Sequence, residues 1–267
     1  MTEIINETRN KVNESSPLIH CITNPISITQ SANAVLAIGG KPMMAEHPME
    51  VGEITPTADA LLLNLGNLTD VRMKSMIIAA KAAREKGIPT VIDAVGVACS
   101  THRREYAKKL IAVAKPAVVK GNYSEINALF DKDYRSAGVD ADDMLGLEAV
   151  TRSAAELACQ YNAVILASGA VDVVTDGRVA VSIKNGSPQL AKITGTGCML
   201  GALCAAYCSV TEGLNAALTA CAVLGICGQL AETHKGNGSF FVGLMDGLTI
   251  LSAETIEKYL NTEMKRL

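Results

Sequence analysis

The 267-residue sequence contains no tryptophan, and aromatic residues of all kinds make up only 3% of it. Hydrophobic residues nevertheless account for 49% and charged residues for 19%, a balance typical of globular chains and not of disordered ones. The core must therefore be built mainly from Ala, Val, Ile, Leu and Met. Small aliphatic side chains of this kind suit helices packed closely on a parallel sheet.

Basic runs and metal-binding cysteine patterns are also missing. No run of Lys or Arg exceeds two residues and the net charge is −3, so the sequence lacks the basic stripe typical of nucleic-acid-binding proteins. The eight cysteines form no CxxC pair, and Cys204 and Cys208 have no His, Asp or Glu near enough in sequence to suggest zinc. We therefore expect neither a zinc-thiolate site nor a disulfide framework.

Long apolar segments are equally scarce. The first sixteen residues are polar and charged and lack the apolar centre of a signal peptide, so we expect a cytoplasmic protein. The most apolar stretch runs from Met199 to Leu230, but Glu212 and Asn215 interrupt it. We interpret it as two buried helices and expect no membrane span.

Short apolar runs alternate with amphipathic ones along the first 170 residues. The pattern predicts strands over 60–65, 88–93, 117–120 and 163–167, and helices over 69–86 and 102–114. Gly87 is placed as a helix-ending glycine. This alternation indicates a mostly parallel sheet with right-handed crossovers, flanked by helices.

The second part of the chain has a different pattern. Residues 171–182 predict an antiparallel hairpin with an Asp176-Gly177 turn. From Cys198 onward we predict helices to the end of the chain, apart from a loop over 235–239. The polar stretch over 131–143 is predicted as a loop, not a boundary, so we expect a single domain over residues 1–267.

Polar or glycine residues follow several predicted strands directly. Ligands of open parallel sheets gather at the carboxyl ends of the strands, so these residues are expected to line one cleft. They are Asn64 to Gly66, Asp93, Lys120 to Asn122, Ser168-Gly169 and Thr194-Gly195.

The segment Thr194-Gly195-Thr196-Gly197-Cys198 leads into an apolar run of small residues. Its two glycines allow a tight turn and a close approach to a ligand. A helix that begins here would present unpaired N–H groups and the positive end of its dipole, which suit a phosphate. The alternative is an ordinary glycine-containing helix start.

Two further segments carry groups suited to phosphoryl transfer. Asp93 at a strand end could hold Mg²⁺ directly or through water, or could instead cap a helix or form a salt bridge. Asn122 and Glu125 are three apart at a predicted helix start, where Glu125 could organise water around Mg²⁺ and Lys120 could reach a phosphate. A capping box is the alternative for Asn122 and Glu125, and the two roles are compatible. No Walker A motif and no GxSxG motif is present.

Together these segments resemble the ribokinase-like superfamily, with its GxGD-type phosphate turn and NxxE magnesium motif. Within that superfamily they resemble the hydroxyethylthiazole kinase family, in the same order along the chain from about His20 to Phe241. The blocks that carry the resemblance are HCITN at 20–24, PMMA at 42–45, LNLGNL at 63–68, DAVGV at 93–97, KGNYSEI at 120–126 and TGTGC at 194–198.

The resemblance implies a ribokinase-like α/β three-layer sandwich and an ATP- and Mg²⁺-dependent kinase. Its substrate would be the alcohol of 4-methyl-5-(2-hydroxyethyl)thiazole, in thiamine biosynthesis and salvage. It also implies a homotrimer with thiazole sites between neighbouring subunits. The implied site residues are Cys198 as the catalytic residue, Met44, Gly195 and Asn24 for the thiazole alcohol, Lys120, Ser168, Thr194 and Gly197 for ATP, and Asp93 and Glu125 for the metal.

Several positions depart from the family pattern. Ala94 and Asn237 stand where proline is usual, and Lys120 stands where Arg is common, so a point charge replaces a bidentate fork. Cys198 stands where many ribokinase-like enzymes carry an Asp base, and it could act as a base, as a positioning group or in packing. An NAD(P)H-hydrate dehydratase would be expected to carry Asp there. The residues also leave open a different ribokinase-like small-molecule kinase and a non-catalytic nucleotide-binding regulator.

Overall fold

The computed structural model describes residues 1–131, 134 and 146–267. Within these residues the strands are β1 (Leu18–Ile22), β2 (Lys41–Met43), β3 (Ala60–Asn64), β4 (Thr90–Asp93), β5 (Val118–Asn122), β6 (Val164–Ser168), β7 (Asp172–Thr175), β8 (Val179–Ile183) and β9 (Thr262–Arg266). The α-helices are α1 (Thr2–Ser15), α2 (Ile28–Ala37), α3 (Val51–Ile54), α4 (Asp70–Lys86), α5 (Thr101–Ala114), α6 (Tyr123–Phe130), α7 (Leu147–Tyr161), α8 (Thr196–Cys208), α9 (Gly213–Leu230), α10 (Asn237–Ile250) and α11 (Ala253–Tyr259).

One sheet contains all of these strands, in the order β2-β1-β3-β4-β5-β6-β7-β8-β9. Neighbours from β2 to β6 are parallel, and those from β6 to β9 are antiparallel. The parallel register places Asp93 beside both Asn64 and Lys120, and Asn122 beside Ser168. The predicted cleft residues on β3 to β6 therefore meet at the carboxyl ends of the parallel strands. Thr194 and Gly195 do not follow a strand as predicted, because a 3₁₀ turn at Leu190–Lys192 precedes them and they lead into α8.

Successive side chains of the central strands enter two different cores. Leu62 and Val91 pack in a cluster that includes much of α8 and α9. Leu61, Leu63 and Ile92 pack on the opposite face with residues of α4, α5, α6 and α7. The predicted three-layer sandwich with a mostly parallel sheet is confirmed, and its cores are built largely from aliphatic side chains.

The apolar stretch from Met199 to Leu230 forms two helices, α8 and α9, as predicted. By length and composition α9 could cross a membrane, but 72% of it is buried within the fold, where it packs against α8 and α10. Among the described residues a second span would require α10 and α11 to be continuous, and these helices bend by 118° at their junction. We therefore regard α9 as a core helix.

Most element predictions hold to within two residues. Helices α4 and α5 begin one residue from the predicted starts, and their first turns are capped by the side chains of Thr69 and Ser100. The hairpin of β7 and β8 is confirmed, with Gly177 at φ +88° in its turn. The loop predicted over 131–143 lies outside the described residues, except for Asp131 and Tyr134.

Two predictions for the C-terminal part are wrong. The chain does not stay helical to its end, because residues 262–266 form β9 on the edge of the sheet beside β8. This strand is largely exposed and rich in charge, so it shows none of the apolar periodicity that signals a strand. The loop predicted over 235–239 is also shorter, since α10 already begins at Asn237.

Candidate active site

A buried ion pair lies at the carboxyl ends of the central strands β4 and β5, where the predicted cleft is. Lys120 Nζ donates to Asp93 Oδ1 over 3.0 Å, and both side chains are almost entirely shielded from solvent. The other carboxylate oxygen, Asp93 Oδ2, accepts from Asn64 Nδ2 at 2.7 Å. Burial raises the pKa of Asp93, whereas the charge and hydrogen bonds of its partners oppose that rise. For Lys120, the neighbouring carboxylates outweigh burial and raise the pKa, so its ammonium stays charged.

The second carboxylate, Glu125, closes the first turn of α6. Its Oε2 accepts from the backbone N–H of Asn122 at 2.7 Å, while the Asn122 side chain accepts from the Glu125 N–H at 2.8 Å. This is the capping box expected from the sequence as the alternative, compatible role of Asn122 and Glu125. Glu125 Oε1 also accepts from the Gly96 N–H at 2.7 Å, which ties α6 to the loop after β4. Burial raises the pKa of Glu125 to about 7, with Asp93 adding to the rise and Lys120 opposing it.

The first turn of α8 is open by comparison. Its N-cap is Gly195, at φ +96°, which has no side chain to accept from the helix N–H groups. The Thr196 hydroxyl is turned away and donates to the carbonyls of Leu190 and Ile193. A helix start without a side-chain cap leaves backbone donors for a ligand.

Lys120 lies directly beside this open turn. A Cβ atom added at Gly197 would lie 3.5 Å from Lys120 Nζ, so the absence of a side chain at Gly197 leaves the ammonium next to the α8 N–H groups. An ammonium has three N–H donors, and Asp93 takes one of them. Lys120 can therefore neutralise an anion bound at α8 while it stays paired with Asp93.

A chain of amide side chains connects Cys198 to the ion pair. Asn24 Nδ2 lies 3.3 Å from Cys198 Sγ and 3.0 Å from Asn64 Oδ1, and Asn64 in turn donates to Asp93. Cys198 is half-buried, so its thiol can reach the cleft. The sequence singled out Asn24 and Cys198 but included Asn64 only as a cleft-lining residue. Its position after an apolar strand, level with Asp93, was the signal that could have found it.

The remaining predicted site residues lie at the two ends of the cleft edge. Ser168 ends β6, is half-buried, and its hydroxyl lies 3.4 Å from the Gly121 carbonyl. Met44 follows β2, is half-buried, and packs against the α8–α9 core. Five strand spacings separate β2 from β6, or about 24 Å, so these two side chains cannot contact the same small molecule. Thr194 is exposed and lines a pocket of about 320 Å³ together with Gln30, Asn237 and Phe241.

The segment around Met44 is held by residues outside the predicted site. His20 contacts the Ala45 carbonyl through Nε2 at 2.9 Å and Thr55 Oγ1 through Nδ1 at 3.0 Å. Arg72 donates to Glu46 at 2.7 Å and to the Asn67 carbonyl at 2.7 Å. His20 is thus a structural residue whose two ring nitrogens both have partners.

The carboxylates of the site suit a hydrated cation. In the described ranges, no three His, Cys, Asp or Glu side chains are placed to hold a metal ion together. Both oxygens of Asp93 and both oxygens of Glu125 already accept hydrogen bonds from protein groups. Two carboxylates with occupied oxygens fit contact through water, which Mg²⁺ retains readily, better than direct ligation.

Sequence comparison relates the chain to one family of kinases. Residues 10–254 match the sequence model of the hydroxyethylthiazole kinase family. A Hydroxyethylthiazole kinase 2 of Clostridium botulinum strain Hall is 44% identical, over 94% of this chain and 97% of its own. A hydroxyethylthiazole kinase of Clostridium perfringens is 40% identical, over 91% of this chain and 95% of its own.

Solved structures extend the comparison to the fold. The hydroxyethylthiazole kinase protein of Pyrococcus horikoshii superposes with a TM-score of 0.91 and 35% identity, covering 99% of this chain and 100% of that one. A pyridoxal kinase of Bacillus subtilis shares the fold alone, with a TM-score of 0.62 and 18% identity, covering 81% and 93%. The fold and the cleft therefore define a ribokinase-like protein. The chain belongs to the hydroxyethylthiazole kinase family.

Proposed function

We propose that this protein transfers the γ-phosphoryl group of ATP to the hydroxyl of 4-methyl-5-(2-hydroxyethyl)thiazole, a step in thiamine biosynthesis and salvage. The observation that carries the proposal is the Asp93–Lys120 ion pair beside the uncapped first turn of α8. Phosphoryl transfer needs positioning and charge neutralisation more than covalent chemistry, and this site supplies both. The relatives named hydroxyethylthiazole kinase support the choice of substrate.

The two substrates are assigned to opposite ends of the cleft. ATP is proposed to bind at the β5–β6 end, with Ser168 and Lys120 as contacts and the N–H groups around Thr194 and Gly197 facing its phosphates. The thiazole alcohol is assigned to the β1–β2 end, with Met44, Asn24 and Gly195 around it. The distance between Met44 and Ser168 suits two molecules that meet end to end at α8.

Lys120 and the α8 turn are assigned to the negative charge of the transferring group. Asp93 keeps the Lys120 ammonium in place, and the Asn24–Asn64 pair fixes the distance between this ion pair and Cys198. Cys198 is proposed to accept the hydroxyl proton or to position the hydroxyl. Because the transition state is loose, the proton can leave late and a strong base is not required.

Mg²⁺ is proposed as the cofactor, held through water by Asp93 and Glu125. When bound, the ion supplies neutralisation of the β- and γ-phosphate charges. The oxygen-only chemistry of this carboxylate pair supports Mg²⁺ over a softer metal.

We further propose a homotrimer in which the thiazole site is completed by a neighbouring subunit. Ile26, two residues after Asn24 and two before the start of α2, is 60% exposed, and Val242 on α10, a helix that packs on α2, is 59% exposed. Contiguous exposed apolar patches mark subunit contacts, and we assign these two side chains to such a patch. Light scattering is expected to give a mass about three times 28.0 kDa. A cytoplasmic location and a single domain over residues 1–267 complete the proposal.

One assay tests the proposed activity. ATP-dependent phosphorylation is measured with hydroxyethylthiazole, and with hydroxymethylpyrimidine, pyridoxal and ribose in parallel. We expect turnover of the thiazole alcohol at a kcat/KM well above those of the other alcohols, and only with Mg²⁺ present. ATP binding without turnover of any of them would favour a regulator and contradict the proposal.

A further inference from the structure

The turn between β6 and β7 is fixed by an aspartate that the proposed chemistry does not use. Asp172, the first residue of β7, accepts from the Gly169 N–H through Oδ1 at 3.0 Å. Its carboxylate is also close enough to Cys221, which is fully buried on α9, for that thiol to lower the pKa of Asp172. Asp172 thus lies between the turn after β6 and α9, which packs against β7.

The other side of the same turn rests on α6. A Cβ atom added at Gly169 would lie 2.7 Å from Tyr123 Cε1, so the Tyr123 ring is packed against the turn. The Tyr123 hydroxyl also donates to the Val171 carbonyl. Tyr123 directly follows Asn122, which belongs to the capping box of Glu125. The turn is therefore held against α6, whose first turn belongs to the proposed active site.

Asp172 is also electrostatically linked to Lys120. Burial raises the pKa of Asp172 to about 6, while the Gly169 N–H, the Cys221 thiol and the Lys120 charge oppose that rise. The carboxylate is therefore mainly ionised at neutral pH. An ionised acceptor makes a stronger hydrogen bond to a backbone N–H than a neutral one does.

From this geometry we infer that Asp172 is a positioning residue for the nucleotide. Its hydrogen bond from the Gly169 N–H fixes the backbone next to Ser168. Asp172 thereby positions Ser168, at the end of β6, for contact with ATP. The inference rests on the proposed assignment of ATP to this end. Asp172 itself is not expected to contact the reacting atoms.

The same strand offers a matched control. Asp176 follows the other end of β7 and its Oδ1 accepts from the N–H groups of Arg178 and Val179 at 2.8 and 3.0 Å. Its role in the β7–β8 turn parallels that of Asp172 in the β6–β7 turn. Asp172 and Asp176 are at opposite ends of β7, so Asp176 lies at the end of the sheet that faces away from the cleft.

The experiment compares Asp172→Ala, Asp172→Asn and Asp176→Ala with the unaltered protein. Calorimetry gives Kd for ATP, steady-state kinetics give KM for each substrate, and thermal unfolding gives Tm. For Asp172→Ala we expect Kd and KM for ATP to rise about tenfold, the effect of losing most of one charge-assisted hydrogen bond, with KM for the thiazole alcohol within about twofold. Asp172→Asn keeps an oxygen for the Gly169 N–H, so we expect it to restore ATP affinity to within about threefold. Asp176→Ala should lower Tm without changing Kd.

Two results would overturn the inference. One is an Asp172→Ala variant with unchanged Kd and KM for ATP. The other is an equal loss for both substrates in Asp172→Ala and Asp176→Ala, which would reflect general destabilisation of β7. Failure of the unaltered protein to bind ATP would instead contradict the proposed function, and the inference with it.

Discussion

Helices α6 and α8 both begin at the carboxyl edge of the sheet, and their first turns are completed in opposite ways. In α6 the Asn122 side chain and the Glu125 carboxylate occupy the terminal N–H groups. In α8 the N-cap is Gly195, and no side chain caps the turn. A carboxylate or amide side chain that caps the first N–H groups stabilises a helix. A helix start without such a cap leaves these N–H groups, and the positive end of the helix dipole, available to a bound anion.

Lys120 joins the two helix starts. Its ammonium lies next to the position of Gly197 and interacts with both Asp93 and Glu125. The positive charge at α8 is thus held by carboxylates that are themselves fixed by α6 and β4. Side-chain placement, and not the helix dipole alone, therefore distinguishes the capped start of α6 from the uncapped start of α8.

The largest effect is expected from a carboxylate placed in the first turn of α8, which would make this helix start resemble that of α6. In Gly197→Asp the new side chain would begin about 3.5 Å from Lys120 Nζ and would compete with a phosphate for that charge. We expect kcat/KM for ATP to fall about 1000-fold in steady-state kinetics. Because Asp is favourable in a first helical turn and replaces a glycine, Tm should stay level or rise.

Gly197→Ala is the control for that variant, since its methyl group makes only an ordinary contact at 3.5 Å. We expect it to retain activity within about tenfold of the unaltered protein. Normal ATP affinity in Gly197→Asp would show that phosphate does not bind at α8.

Removing the Lys120 ammonium, which lies beside the first turn of α8, should have the next largest effect. In Lys120→Met, Asp93 loses its positively charged partner inside the fold and keeps only the hydrogen bond from Asn64. We expect kcat/KM to fall about 100-fold. The free energy of unfolding, measured in urea, should fall by about 3 kcal/mol, since removing one partner of a buried ion pair leaves an uncompensated charge.

The double variant Lys120→Met with Asp93→Asn separates these two effects. It should recover much of the stability and none of the activity. Recovery of both would mean that the ion pair serves folding and not the reaction.

A substitution at Cys198 tests the proposed contact of the first turn of α8 with the substrate hydroxyl. In Cys198→Ala we expect kcat to fall about 30-fold, less than for a full general base because the proton can leave late. Kd for ATP should stay near normal, since the phosphate contacts are assigned to backbone groups and Lys120. An unchanged kcat would remove Cys198 from proton transfer.

The smallest expected effect is a pH dependence of the free energy of unfolding, caused by the buried Glu125 carboxylate that caps α6. Since burial raises the pKa of Glu125 from 4.5 to about 7, the folded protein binds a proton that the unfolded chain has released between these values. Stability should therefore fall as pH rises from about 4.5 to 7, by up to about 3 kcal/mol, and level off above.

Urea unfolding of the Mg²⁺-free protein at several pH values measures this change. Glu125→Gln cannot ionise, so its stability curve should be flatter over the same interval, whatever its overall stability. Parallel curves for the two proteins would contradict the assignment of the raised pKa to Glu125.

Local sequence signals predicted much of this molecule. The apolar runs predicted the central strands, Gly87 was correctly placed at the end of α4, and Asn122 with Glu125 predicted the cap of α6. These features depend on residues within a few positions of each other, so composition and spacing are enough to reveal them.

Long-range features were not predictable in the same way. The contact of Asn24 with Asn64 joins residues forty positions apart, and its existence depends on β1 and β3 being neighbours. Strand β9 forms because β8 offers it an edge, and its charged sequence gives no periodic signal. The roles of the individual site residues stay predictions until they are measured.

The central claim is that the open start of α8, with Lys120 beside it, receives the transferring phosphate. A crystal structure with Mg²⁺, a non-hydrolysable ATP analogue and the thiazole alcohol tests it most directly. We predict that the γ-phosphate lies within hydrogen-bond distance of Lys120 Nζ and of backbone N–H groups of residues 196–198. A γ-phosphate bound elsewhere, with the α8 turn contacting only water, would contradict the account.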